Sequence, residues 1–164
     1  MKNIRSREII KSLNLEKHPE GGWYCETYRS ASTIELERGQ RSLATLIYFM
    51  LEQDEFSAFH RLKSDEFWYY HEGSSLSVHI FNIDGSYELK KLGLLGSDGS
   101  RPQLLLPAGC LFAAECIEKD SYSLISCSVH PGFDFLDFEL AGKSEMLSLF
   151  PDHADIIERL CIKA

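Results

Sequence analysis

The chain is 164 residues long, 44% hydrophobic and 26% charged, a balance that suits a packed core and excludes a disordered or fibrous chain. Its net charge is -8 with no dense Lys/Arg cluster, which excludes nucleic acid and an anionic membrane surface as main partners. The length fits one domain, residues 1–164, around one sizeable core.

Ser6 is placed to cap a short N-terminal helix whose Ile9, Ile10 and Leu13 face the body of the protein. Residues Met1–Lys11 carry no apolar signal-peptide core, and no apolar run reaches transmembrane length. His18-Pro-Glu-Gly-Gly22 then reads as a turn or loop, because Pro and paired Gly break any period. After it come short runs rich in aromatic and β-branched residues. They predict strands over Trp23–Arg29, Leu43–Leu51, Phe56–Leu62, Glu66–His71 and Leu76–Phe81. Further strands are expected over Tyr87–Leu92, Gln103–Leu106, Leu111–Ala114, Tyr122–Val129 and Phe133–Leu140.

The breaks between these runs carry turn chemistry, as at Asn82–Gly85 and Gly96–Ser100. Phe150–Leu160 reads as a closing helix with Ile156, Ile157 and Leu160 on its sticky face. Regularly spaced short strands with helices only at the ends predict an all-β sandwich or barrel. The cysteines Cys25, Cys110, Cys116, Cys127 and Cys161 are scattered and form no CxxC, so reduced thiols in a cytoplasmic protein are expected.

Period-two alternation puts His60 and Leu62 on one face of a strand and Glu66, Trp68 and Tyr70 on one face of the next. If Lys63-Ser64-Asp65 is the turn between them, His60 and Glu66 become neighbours inside the barrel. A buried His–carboxylate pair moves protons near neutral pH, and it is also half of a Zn, Mn or Fe site. A third ligand would have to be His71, His79 or Cys127, and nothing in the spacing places any of them beside His60. The plainer reading of His60 is a core histidine satisfied by Glu66.

Trp68, Tyr70, Phe112 and Tyr48 could line a cavity, or simply fill the core. Phe133, Phe135 and Phe138 read mainly as core or interface packing. GxSxG, GxxxxGK[ST], HExxH and GxGxxG are all absent.

The arrangement His60-x-Leu62-x3-Glu66-x6-Gly73, followed by Pro107-Ala-Gly109, resembles the two motifs of the cupin superfamily. More narrowly, the chain resembles the cupin type-5 family, which began as a domain of unknown function. The resemblance is carried by His18-Pro-Glu-Gly-Gly22 with Glu26-Thr-Tyr-Arg29, by Phe56–Gly73, and by Arg101-Pro102 with Pro107-Ala-Gly109. It is completed by Pro131-Gly-Phe-Asp-Phe-Leu-Asp-Phe-Glu139 and the Phe150-Pro-Asp-His153 tail. The resemblance implies a double-stranded β-helix, or jelly roll, with short helices flanking it at both termini, and a homodimer.

Where metal cupins use two His, one Glu and a later His, only His60 and Glu66 match; Leu62 and Phe112 stand at the other two positions. The sequence also departs from the common family wording at Phe59, often Trp, and at Tyr69, often His. Metal-free cupins include sugar-nucleotide epimerases, which work through an acid–base His and a Tyr. By that resemblance His60 is the base, Glu66 its orienter, and Tyr48 or Tyr70 the opposing acid. Arg29 would meet a phosphate, or else form a surface ion pair.

The expectation is therefore a small-molecule-binding barrel that moves protons without a metal, as in epimerisation or isomerisation of a polar, carbohydrate-like substrate. Tyr48, Trp68, Tyr70, Phe112, Leu62 and Arg29 are its candidate ligand-binding residues. A non-catalytic metabolite-binding module fits the same residues. A third reading is an enzyme with a divalent metal held by His60 and Glu66 within an atypical ligand set.

Overall fold

The computed structural model describes residues 4–162 apart from 53, 97 and 120. In chain order the elements are α1 (Ile4–Ser12), β1 (Glu16–Lys17), β2 (Trp23–Arg29), β3 (Thr33–Leu36), β4 (Gly39–Ser42), β5 (Thr45–Glu52) and β6 (Phe56–Leu62). They continue as β7 (Asp65–Gly73), β8 (Leu76–Phe81), β9 (Tyr87–Leu92), β10 (Gln103–Leu106), β11 (Leu111–Cys116) and β12 (Tyr122–His130). A 3-10 turn at Phe135–Asp137 leads into β13 (Phe138–Leu140) and α2 (Lys143–Leu149), and a second at Pro151–His153 leads into α3 (Ala154–Leu160).

The strands form two antiparallel sheets, ordered β1-β2-β5-β12-β7-β10 and β13-β6-β11-β8-β9, with β3 and β4 as a separate hairpin. This is the expected all-β jelly roll with flanking helices. Its main core draws Phe49, Leu51, Trp68, Ile125 and Cys127 from one sheet and Leu76, Val78, Ile80, Leu92 and Phe112 from the other. Alternation along β12 shows why: Ile125, Cys127 and Val129 turn inward while Ser126 and Ser128 turn to the other face.

The helices cover the outer faces. Ile9 of α1 packs with Met50, Tyr122 and Leu124 on the six-stranded sheet. Met146 of α2 and Ile157 and Leu160 of α3 pack with Phe59, Phe81 and Ala113 on the five-stranded sheet. Ile157 and Leu160 are fully buried, a contribution of about 2 kcal/mol each.

Several boundaries differ from the sequence pattern. Ser6 lies inside α1, not at its cap, and its hydroxyl donates to Glu52 Oε1 at 2.7 Å. Leu43 is exposed and precedes β5, and the polar β3–β4 hairpin escapes a reading based on apolar runs. Phe133–Leu140 is not one strand: Asp134 accepts from Leu136 N–H and starts the 3-10 turn, leaving only Phe138–Leu140 extended. This matters for the site, because the broken segment folds over the barrel mouth. Asp137 anchors it there, accepting from Arg41 at 2.8 and 2.9 Å and from Arg38 at 3.0 Å. Those two arginines hold the Asp137 carboxyl below its usual range, Arg41 most strongly.

Candidate functional site

The loop between β1 and β2 builds the inner end of a cavity. His18 N–H donates to Gly22 O and Gly21 N–H to His18 O, closing a tight turn. Gly21 and Gly22 have φ of +107° and +76°, in the region that favours glycine. A Cβ on Gly21 would lie 2.1 Å from Phe56 O, and one on Gly22 would lie 2.7 Å from Met50 O. Only paired glycines let this loop press so closely on β5 and β6. Ala58 N–H then donates to Glu20 O at 2.8 Å, and the Glu20 side chain drops into the barrel, leaving the residue 6% exposed.

There Glu20 Oε1 accepts from the Ser57 hydroxyl at 2.8 Å. Its Oε2 lies 3.1 Å from His60 Nε2 and 3.5 Å from His18 Nδ1. The partners fix both tautomers. His60 Nδ1 lies 2.7 Å from Ala58 O, a carbonyl that only accepts, so Nδ1 carries the proton. His18 Nδ1 accepts from Glu20 N–H, so its neutral ring is protonated at Nε2. Glu20 Oε2 therefore faces two imidazole lone pairs, and a proton must sit between it and His60.

Burial decides where that proton rests. It pushes Glu20 up, against the pull of His18 and Ser57. It pushes His60 down, against Glu66 and the Ala58 carbonyl, and it pushes His18 down as well. All three directions favour a neutral chain, with the Glu20 carboxyl holding the proton toward His60.

Glu66, from β7, lines the same cavity as Glu20, His60 and His18 and is also 6% exposed. Its Oε2 is closed off from solvent, and the Trp68 and Cys127 side chains are the donors that face the carboxyl. Burial pushes its pKa up to about 7, with His60 opposing and Glu20 adding to the rise. Its charge therefore changes near neutral pH.

These groups line a cavity of about 370 Å³. Its buried part includes Thr45, Phe49, Leu62, Cys127 and Val129, and its outer part Glu16, Glu26, Arg29, Phe133, Asp134 and Phe135. Tyr24 lies edge-on to His18 at 4.7 Å, and Phe138 lies 5.3 Å from His60.

The family model described as the cupin superfamily (DUF985) matches residues 7–141. The chain belongs to that cupin family. Among solved structures it is similar to protein SO0799 from Shewanella oneidensis, at 39% identity and a TM-score of 0.90 over 100% of both chains. A hypothetical protein from Leishmania major is 34% identical with a TM-score of 0.90, over 96% of this chain and 99% of that one. The uncharacterised protein YML079W of Saccharomyces cerevisiae is 30% identical over 159 residues, 87% of this chain and 79% of the relative. Oxalate decarboxylase from Bacillus subtilis shares the fold alone, at 16% identity and a TM-score of 0.56 over 90% of this chain and 37% of that one.

Within the cupin frame, the residues singled out from sequence scatter. His60, Leu62, Glu66 and Arg29 reach the cavity. Phe112 stands in the core, with its ring 4.1 Å from His60, and Trp68 packs against Phe112 at 5.8 Å; neither lines the cavity. Trp68 and Tyr70 follow Glu66 on the same face, but each step along β7 carries them further from it. Tyr70 spends its hydroxyl on Gly73 O at 2.6 Å. Tyr48 faces the other way, because Thr45, Ile47 and Phe49 are the inward residues of β5. It packs with the α1 cluster and against His71. Neither tyrosine can act as an acid in this cavity, and Tyr24 is the tyrosine that lines it.

The expected pairing of His60 with Glu66 also needs correction. The carboxylate in contact with the His60 ring is Glu20, from a loop that the alternation argument does not reach. As for metal donors, His71 bonds Ser126 on the outer face, and His79 is held by Tyr87 and Glu115 beneath the C-terminal helices. Among the described residues, no three His, Cys, Asp or Glu side chains converge at a spacing suited to one metal ion. The donors present therefore do not fit a metal of the usual cupin kind.

Proposed function

We propose that the cavity binds a small polar molecule and moves a proton on it without a metal, in a reaction of the isomerase or epimerase type. The observation that carries this reading is Glu66: a buried carboxyl that lines the cavity, with no Arg or Lys paired to it among the described residues and a pKa of about 7. A carboxylate poised near the working pH is suited to act as both base and acid. His60 is held on both ring nitrogens by Ala58 and Glu20, so it serves as a positioning residue rather than the group that meets substrate.

Glu66 takes a proton from a carbon next to a carbonyl, and the electron pair of that C–H bond moves onto the carbonyl oxygen. His18, with its proton on Nε2, or Tyr24 supplies a hydrogen bond to that oxygen and is the candidate acid for the opposite face. Reprotonation at carbon from the other side returns the electron pair and completes the inversion or shift. Apolar Leu62, Val129 and Phe138 around these groups strengthen the electrostatics by excluding water.

The test is hydrogen exchange. Polar carbonyl metabolites are incubated with the protein in D2O, and deuterium entering carbon is read by mass spectrometry. Exchange should fall by about 100-fold or more in Glu66→Gln, the range typical of a lost general base. A compound that binds tightly and never exchanges would instead identify a binding module.

A further inference from the structure

Glu66 lines a cavity open to solvent, is 6% exposed and forms no ion pair with an Arg or Lys among the described residues, so its ionised carboxylate is unfavourable there unless a donor arrives from outside the chain. The charges around the cavity indicate what kind of donor. Glu16, Glu26 and Asp134 line its outer part, and Arg29 is the one Arg or Lys among the described lining residues. That guanidinium is already committed: Nε and Nη2 bond Glu26 at 3.0 and 2.7 Å, and Nη1 bonds Phe133 O at 3.0 Å. A phosphate or carboxylate ligand would have to displace Glu26 from Arg29 and would meet Glu16 and Asp134 beside it. A cation meets no such barrier.

The apolar lining supports the same choice. Phe133, Phe135 and Phe138 stand edge-on to one another at 4.9, 6.2 and 6.1 Å. Phe135 is 54% exposed at the mouth, a large ring left unburied where a ligand would enter. Aromatic faces attract ammonium groups and pack on their carbon chains.

We propose that the cavity takes a small molecule carrying an ammonium group, its N–H donors directed at the Glu66 carboxylate and its carbon body against Phe133, Phe135 and Phe138. This names the substrate class for the site described above and rests on that site being a ligand cavity. It does not require that the ligand react.

The test uses three probes of one shape and different charge: 4-phenylbutylamine, 4-phenylbutanol and 4-phenylbutyrate. Calorimetry is run at pH 8, where Glu66 is ionised and the amine keeps its proton. The amine should bind about tenfold or more tighter than the alcohol, and the carboxylate weakest. In Glu66→Gln the advantage of amine over alcohol should vanish. The alcohol or carboxylate binding as tightly as the amine, or no amine binding at millimolar concentration, overturns the proposal from wild-type protein alone. Amine preference without hydrogen exchange in any substrate would remove the proton-transfer reading and leave this one. Exchange in a neutral or anionic substrate with no amine preference would do the reverse.

Discussion

His60 Nε2 and Glu20 Oε2 face each other at 3.1 Å with one proton between them. Burial raises Glu20 and lowers His60, and both directions favour the proton on the carboxyl. Glu20→Gln then keeps every bond: its amide N–H reaches His60 Nε2 and its carbonyl accepts from Ser57. Urea unfolding at pH 7 should show a loss under about 1 kcal/mol. An ionised pair would instead cost about 3–5 kcal/mol when one charge is removed. A loss of that size would reassign the proton to His60.

Glu66 makes stability depend on pH in an unusual direction. Its folded pKa of about 7 lies above its ordinary 4.5, so the folded state holds the proton more tightly than the unfolded chain. The resulting stability is fully present below pH 4.5 and is lost as pH rises to 7, by on the order of 3 kcal/mol. The groups that face Glu66 are His60 on β6, Glu20 on its loop, Trp68 on β7, Cys127 on β12 and Cys110 ahead of β11. His60 and His18, lowered from 6.5, work the other way and lose stability as pH falls below that value. Comparing wild type with Glu66→Gln isolates the carboxyl. The variant should match wild type at pH 4 and exceed it at pH 8 in urea midpoints. Parallel curves would mean that Glu66 titrates normally.

The jelly roll was legible because β-strand alternation and turn residues survive in a single sequence, as in β6, β8, β9 and β10, whose bounds match. His60 and Glu66 were legible for the same reason: each sits at an inward position of a regular strand. Glu20 and His18 were not, since they enter the barrel from a loop held by contacts 37 and more residues away in sequence. The clue was the Gly-Gly after Glu20, which breaks a period but also permits close backbone approach. Phe133 and Phe135 were misread because an Asp134 cap broke their strand and lifted them to the cavity mouth.

The glycine clue has its own consequence. Gly21→Ala places a Cβ 2.1 Å from Phe56 O at a φ of +107°, so the loop must withdraw from β6. The substitution should destabilise the fold by about 1–3 kcal/mol in urea unfolding. It should also weaken ligand binding, because Glu20 and His18 retreat with the loop. A stable Gly21→Ala protein with unchanged affinity would show that the loop does not set the cavity.

Phe135 separates a ligand contact from a structural one. It is 54% exposed, so Phe135→Ala should leave stability within about 0.5 kcal/mol. Its ring nonetheless lines the mouth, edge-on to Phe133 at 4.9 Å and stacked on His18 at 6.4 Å. Removing it takes away one aromatic wall, and 4-phenylbutylamine should bind about tenfold more weakly, the size of a lost ring contact of about 1.4 kcal/mol. Tyr70→Phe is the matched control, because Tyr70 bonds Gly73 and stands outside the cavity. It should leave probe affinity unchanged. If both variants bind as wild type does, the ligand does not pass the Phe135 rim; if Tyr70→Phe alone weakens binding, the ligand sits further along β7 than the cavity described.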